Sequence, residues 1–122
     1  MAMVRWWGLV LAGVFGASGV AAAAASSHGP ASAPLGSMAL ICLAHAPVLL
    51  VLGIAAPRTR RFDIAAGALG FGALAFSADM AFRAISGGGL LPLLAPLGGL
   101  ILIAGWVWLI CIGLMALPSR GN

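Results

Sequence analysis

Four long apolar runs constrain this chain more than any other feature. They cover residues 6–25, 36–56, 64–86 and 95–117 of a 122-residue sequence. The hydrocarbon core of a bilayer is about 30 Å thick, and a helix needs about 20 apolar residues to cross it. Each run meets that length. The runs are continuous rather than alternating, which selects helices over the strands of a membrane barrel. The expected fold class is therefore all-α. One domain spanning residues 1–122 is expected to form an integral membrane four-helix antiparallel bundle.

Composition agrees with lipid as the solvent. Hydrophobic residues make up 63 % of the chain and charged residues 7 %, against about 45–50 % and about 25 % in soluble domains. A water-soluble domain this small exposes too large a share of its surface to hide so much apolar material. The net charge of +4 comes from six Arg set against two Asp. These Arg are scattered rather than gathered into a basic stripe, so no nucleic acid partner is expected. The expected partner is the lipid bilayer, together with a homo-oligomer or a larger membrane complex.

The connections are short, and short connections place each helix antiparallel to the one before it. Ser26–Leu35 carries His28, Gly29, Pro30 and Pro34. Pro57 closes the second run, because the residue before proline is pushed out of helical geometry. Arg58, Arg60 and Arg61 follow it, Arg5 precedes the first run, and Arg120 follows the fourth. The loop after the first helix and the Gly87-Gly88-Gly89 loop after the third contain no Lys or Arg. Basic loops face the cytoplasm, so both termini are expected there, in a bacterial inner membrane. Trp6, Trp7 and Phe62 stand where interfacial aromatics anchor helices, whereas Trp106 and Trp108 read as mid-span packing residues. The first helix also has signal-peptide features: Arg5, an apolar core and Ala23-Ala24-Ala25 as a cleavage site. The favoured reading retains it as a helix.

Helices in lipid associate through close packing of small residues. Gly8, Ala12 and Gly16 share one face of the first helix, and Gly13, Ala17, Ala21 and Ala25 share another. Ala66, Gly70 and Ala78, and also Ala65, Ala73, Ser77 and Ala81, repeat the device in the third. Gly98, Gly99, Gly105 and Gly113 do so in the fourth. The chief packing glycines are expected to be Gly16, Gly70, Gly98, Gly99 and Gly105. Two small faces on the first helix imply two neighbours.

Polar residues inside a span are the candidates for chemistry, since each is costly there unless partnered. His45, Ser77, Asp79 and Arg83 form the candidate intramembrane cluster. Asp79 and Arg83 are four residues apart and so share a face. They read either as a local ion pair or as a proton- or ligand-binding site. His45 lies within about one helical turn of Asp79 in depth, so a contact between them is possible. The alternative is a histidine bonded to a carbonyl or to Ser77. Pro47 removes a backbone donor close by. His28 and His45 lie at different depths and make no metal or haem pair, so no cofactor is expected. Cys42 and Cys111 differ in depth by about 12 Å, too far for a disulfide, which needs Cα atoms within about 7 Å.

Several segments together resemble a known family. Gly13 to Val20 leads to a turn at Ser26-Ser27-His28-Gly29. Leu43-Ala44-His45-Ala46-Pro47-Val48-Leu49-Leu50 places a histidine before apolar residues. Phe76-Ser77-Ala78-Asp79-Met80-Ala81 forms a third patch, and Pro96-Leu97-Gly98-Gly99 with Ala104-Gly105-Trp106 a fourth. In this order they resemble the YgdD-like small membrane proteins, a domain of unknown function with small transmembrane relatives in animals. The resemblance implies four membrane helices and lends weight to His28 and His45, but it brings no reaction. The chain departs from the family pattern in a shorter first loop and in Asp79 and Ala81, which stand in place of Ser and Tyr. A site built on Asp79 would therefore not be general to the family. The functional expectation is a non-enzymatic accessory or structural membrane protein. The rival is a small transporter or channel with a polar path at His45 and Asp79.

Overall fold

A computed structural model describes residues 4–118. Arg120, assigned to an inner tail, lies outside the described residues. Four helices make up the fold: α1 (Trp6–Ser26), α2 (Ser32–Ile54), α3 (Arg60–Ser86) and α4 (Leu94–Met115). Each is long and apolar enough to cross a membrane.

Two helices begin earlier than the sequence suggests. The start of α2 lies at Ser32 rather than residue 36, with Pro34 inside its first turn. Proline is tolerated there because the first N–H groups of a helix have no intrahelical acceptor. The start of α3 lies at Arg60 rather than residue 64, so Arg60, Arg61, Phe62 and Asp63 form a helical turn instead of a loop. At the far end of α3, Gly87 takes a left-handed conformation (φ 78°) and its N–H bonds the Arg83 carbonyl at 2.9 Å. That left-handed cap is easy for glycine and strained for other residues.

Sequence neighbours pack against one another: α1 on α2, α2 on α3, α3 on α4, with α1 also grazing α3. Among the described residues α1 makes no packing contact with α4. The bundle expected from the sequence is thus an open array rather than a closed ring. Paired positions show antiparallel neighbours. Gly8 lies against Gly53 and Gly19 against Cys42, while Gly70 meets Leu49 and Gly72 meets Gly98.

The buried stripe of α1 runs Gly8, Ala12, Phe15, Gly19, Ala22, and that of α4 runs Ala95, Gly98, Leu102, Gly105, Ile112. Steps of three and four alternate, so the contact face has the 3.5-residue period of left-handed helix packing. This period decides which glycines pack. A row of i+4 steps drifts by about 40° each time, and Gly16 has left the seam, with nothing near the position a Cβ would occupy. Gly99 is equally open, because its neighbour Gly98 already takes the α3-facing position. The expectation that Gly16 and Gly99 pack is therefore corrected, whereas Gly70, Gly98 and Gly105 do lie at helix contacts. The tightest crossing includes Gly72, which the spacing did not single out. A Cβ on Gly72 would stand 2.9 Å from the Gly98 carbonyl oxygen, and one on Gly98 would stand 2.8 Å from the Phe76 nitrogen.

The second small face of α1 is also corrected: Gly13, Ala17, Ala21 and Ala25 point outward. Phe62 is not a free interfacial anchor, since it packs partly buried against the core. Trp6, by contrast, is 72 % exposed at the start of α1. Trp108 is more than a packing residue, because its indole N–H donates to the Arg61 carbonyl at 3.0 Å and ties α4 to the first turn of α3.

These contacts predict a split among glycines. Gly72→Leu and Gly98→Leu are expected to lower the thermal midpoint in detergent strongly, since overpacking costs about 1–3 kcal/mol and backbone neighbours cannot yield. Gly16→Leu and Gly99→Leu are expected to change it little. Equal losses at all four positions would contradict the assigned seam.

Candidate functional site

Polar side chains in the spans are gathered at three levels, not in one cluster. At the end holding the α2–α3 connection, Arg5 is 1 % exposed. Its position follows from the way α2 ends. Pro57 has no N–H, so the Gly53 carbonyl lacks its usual partner four residues on. The backbone N–H of Arg5 supplies one at 2.9 Å. The N–H of Ala56 turns to Val51, which leaves the Leu52 carbonyl free as well. Arg5 Nη1 donates to Leu52 at 2.7 Å and to Ala56 at 3.1 Å, and Nη2 donates to Pro57 at 2.6 Å. Its Nε donates to Asp63 Oδ1 at 2.6 Å in the first turn of α3. A cation at a helix C-terminus and a carboxylate at a helix N-terminus both match the helix dipoles. Arg5 therefore joins the start of α1, the end of α2 and the start of α3.

At mid-span, His45 Nδ1 lies 2.8 Å from the Ile41 carbonyl. Nδ1 must carry the proton, since a carbonyl only accepts. Nε2 then accepts from the Trp106 indole N–H at 3.2 Å, with the two rings edge to face at 5.9 Å. Both ring nitrogens are thus engaged, and α2 is bridged to α4 across a gap their backbones do not close. Nearby, Cys42 Sγ lies 3.2 Å from Ser77 Oγ, and Ser18 reaches the same sulfur at 3.9 Å. Cys42 and Cys111 are both free thiols.

At the opposite end, Asp79 is fully buried. Its Oδ2 accepts from Arg83 Nε at 2.7 Å, and its Oδ1 accepts from the Leu90 backbone N–H at 2.7 Å. The carboxylate thus holds the α3–α4 loop as well as its own helix. The Arg83 side chain is 41 % exposed. That loop leads to Leu93, which begins α4 in a left-handed conformation at φ 67°, a costly geometry for leucine that needs support from its surroundings.

The candidate residues therefore separate. Asp79 and Arg83 are together, Ser77 pairs with Cys42, and His45 pairs with Trp106. His45 and Asp79 share no hydrogen bond. His28 is exposed in the first loop. Among the described residues, no group of three His, Cys, Asp or Glu is placed to hold a metal ion. No buried side-chain nitrogen or oxygen among them lacks a partner. Sequence reasoning overlooked Arg5 and Trp106. For Arg5 a signal existed: Pro57 ending a helix leaves a carbonyl without a donor, and an Arg near the same membrane face is the natural one.

A family model described as a protein of unknown function (DUF423) matches residues 12–99. That range includes His45, Asp63, Asp79 and Arg83, but neither Arg5 nor Trp106. No curated protein and no solved structure matches the chain.

The geometry of Asp79 predicts coupling. Arg83→Ala and Asp79→Asn should each lower the thermal midpoint in detergent, and the double variant should lose clearly less than the sum, as contacting partners do. Strictly additive losses would show that the two side chains act independently.

Proposed function

This chain belongs to the DUF423 family of proteins of unknown function, and on that premise we propose that it is a non-enzymatic accessory or structural membrane protein. Its four helices are each long and apolar enough to cross a membrane. We read it as a single domain of the inner membrane with both termini in the cytoplasm, and as YgdD-like within its family. The exposed Arg58 of the α2–α3 connection, with Arg60 and Arg61 in the first turn of α3, supports that orientation.

One observation carries the functional reading. The polar side chains within the spans bond to their own chain, with only the outer nitrogens of Arg83 left over. Arg5 closes on carbonyls and Asp63, His45 on Ile41 and Trp106, and Asp79 on Arg83 and Leu90. A transport path needs polar groups that line a cavity and exchange partners. The expected polar path through His45 and Asp79 loses its support, because the two residues sit in separate, closed contacts. The outward small face of α1, with Gly13, Ala17 and Ala21, is suited to close approach by another helix, either a second copy or a helix of a larger complex.

The test pairs two measurements on the full chain. Proteoliposomes holding wild type, Asp79→Asn or His45→Ala are expected to show the same proton flux as empty vesicles. Chemical crosslinking in native membranes is expected to capture a homo-oligomer or a larger complex through α1. Flux in the wild type that disappears in both variants would overturn the proposal in favour of transport. Reporter fusions at Gly29 and Gly88 should score outside and a fusion at Thr59 inside, and a cytoplasmic signal at Gly88 would reverse the orientation.

A further inference from the structure

Two grooves meet at the Asp79–Arg83 end of the molecule. The first, about 570 Å³, is lined by Pro30 of the α1–α2 loop, by Pro34 in the first turn of α2, by Met80 and Arg83 on α3, and by Gly87. The second, about 400 Å³, is lined almost entirely by apolar groups, including Ala22 of α1, Leu35 and Met38 of α2 and Ile85 of α3. Ala31 and Ala84 line both. The two spaces therefore adjoin at these two small side chains: a more polar compartment that holds Arg83, and an almost wholly apolar one.

The polar compartment contains an oriented cation. Buried Asp79 takes the Arg83 Nε, which fixes the plane of the guanidinium while its Nη atoms remain available. Gly89 keeps the loop close to that end: a Cβ there would stand 2.7 Å from Nη2. A planar guanidinium with free Nη donors matches the oxygens of a phosphate. The depths agree with the same occupant. Arg83 lies three residues before the end of α3 at Ser86, about 5 Å below it, at headgroup level. The apolar compartment reaches Ser18, eight residues before the end of α1 at Ser26 and about 12 Å deep.

We propose that this groove binds one phospholipid, with its phosphate on Arg83 and an acyl chain running past Ala31 and Ala84 into the apolar compartment between α1, α2 and α3. The free Nη donors of Arg83 match a phosphate, and the apolar compartment beside them, which runs about 12 Å deep along α1, selects a lipid over a free anion. Asp79 is a positioning residue that presents Arg83. The lipid would then also fill the outer space between α1 and α3, where helix contact is slight.

Delipidated full-length protein in mild detergent, titrated with dimyristoyl phosphatidylglycerol and followed by native mass spectrometry, tests this. One lipid per chain is expected to bind. Ala84→Phe and Ala31→Phe block the neck without touching the Asp79–Arg83 pair and should weaken binding at least about tenfold. Arg83→Gln should weaken it similarly. Dimyristoylglycerol, which has the tails but no phosphate, should bind far more weakly, as should inorganic phosphate. Equal binding by wild type and both Phe variants would mean ordinary surrounding lipid and overturn the proposal. Equal binding of dimyristoylglycerol would remove the role of Arg83. Inorganic phosphate binding as tightly as the lipid would leave an anion site only, and would equally overturn it. Thermal midpoints of the Phe variants near wild type confirm that a loss of binding is not a loss of fold.

Discussion

A buried arginine that closes on backbone carbonyls holds one end of this molecule together. In lipid there is no water to satisfy a polar group, so each donor and acceptor must find its partner within the protein. Arg5 meets that demand for itself and for α2 at once. Proline at position 57 ends α2 but removes a donor, and the carbonyls left over would be costly to bury. Arg5 answers with its backbone N–H to Gly53 and its guanidinium to Leu52, Ala56 and Pro57. This contact brings Gly8 against Gly53, which sets how closely α1 and α2 approach. Through Asp63 it also sets where α3 begins.

The same logic appears at the other levels. His45 and Trp106 satisfy one another across a space that the α2 and α4 backbones leave open. Asp79 satisfies the loop N–H of Leu90 and the Nε of Arg83. Between these contacts the helices meet through glycine and alanine, and their backbones touch directly at Gly72 and Gly98. Small residues provide closeness, while polar residues provide register. A helix seam of glycine and alanine alone could slide, because its contacts are alike from turn to turn. A guanidinium bonded to particular carbonyls, or an indole bonded to one ring nitrogen, cannot.

Much of the fold was legible in the sequence, because apolar length is a strong and local signal. The spans were readable to within a few residues, and the misplaced boundaries share one cause. Pro34 and the Arg60–Asp63 stretch look like loop material, yet each fits a first helical turn, where proline is tolerated and a carboxylate is favoured. The packing glycines were half legible. A row of i+4 steps suggests Gly16, whereas the 3.5-residue seam passes through Phe15 and Gly19 instead. The Asp79–Arg83 pair was legible because it lies within one helix. Arg5 with Asp63, and His45 with Trp106, were not, since each pair joins distant parts of the chain and depends on which helices become neighbours. The separation of His45 from Asp79 has the same origin: similar depth does not put two side chains on facing surfaces.

The claim at the centre of this account is that Arg5 is a structural clasp rather than a topological charge alone. Thermal unfolding of the full chain in detergent, comparing Arg5→Ala with Arg60→Ala, tests it most directly. Both variants remove one positive charge from the same membrane face, but Arg60 is exposed. The account predicts that Arg5→Ala costs about 3 kcal/mol, the low end for breaking a buried ion pair because Asp63 is 47 % exposed. Arg60→Ala should change stability by less than about 0.5 kcal/mol. Equal, small effects of the two substitutions would contradict the account.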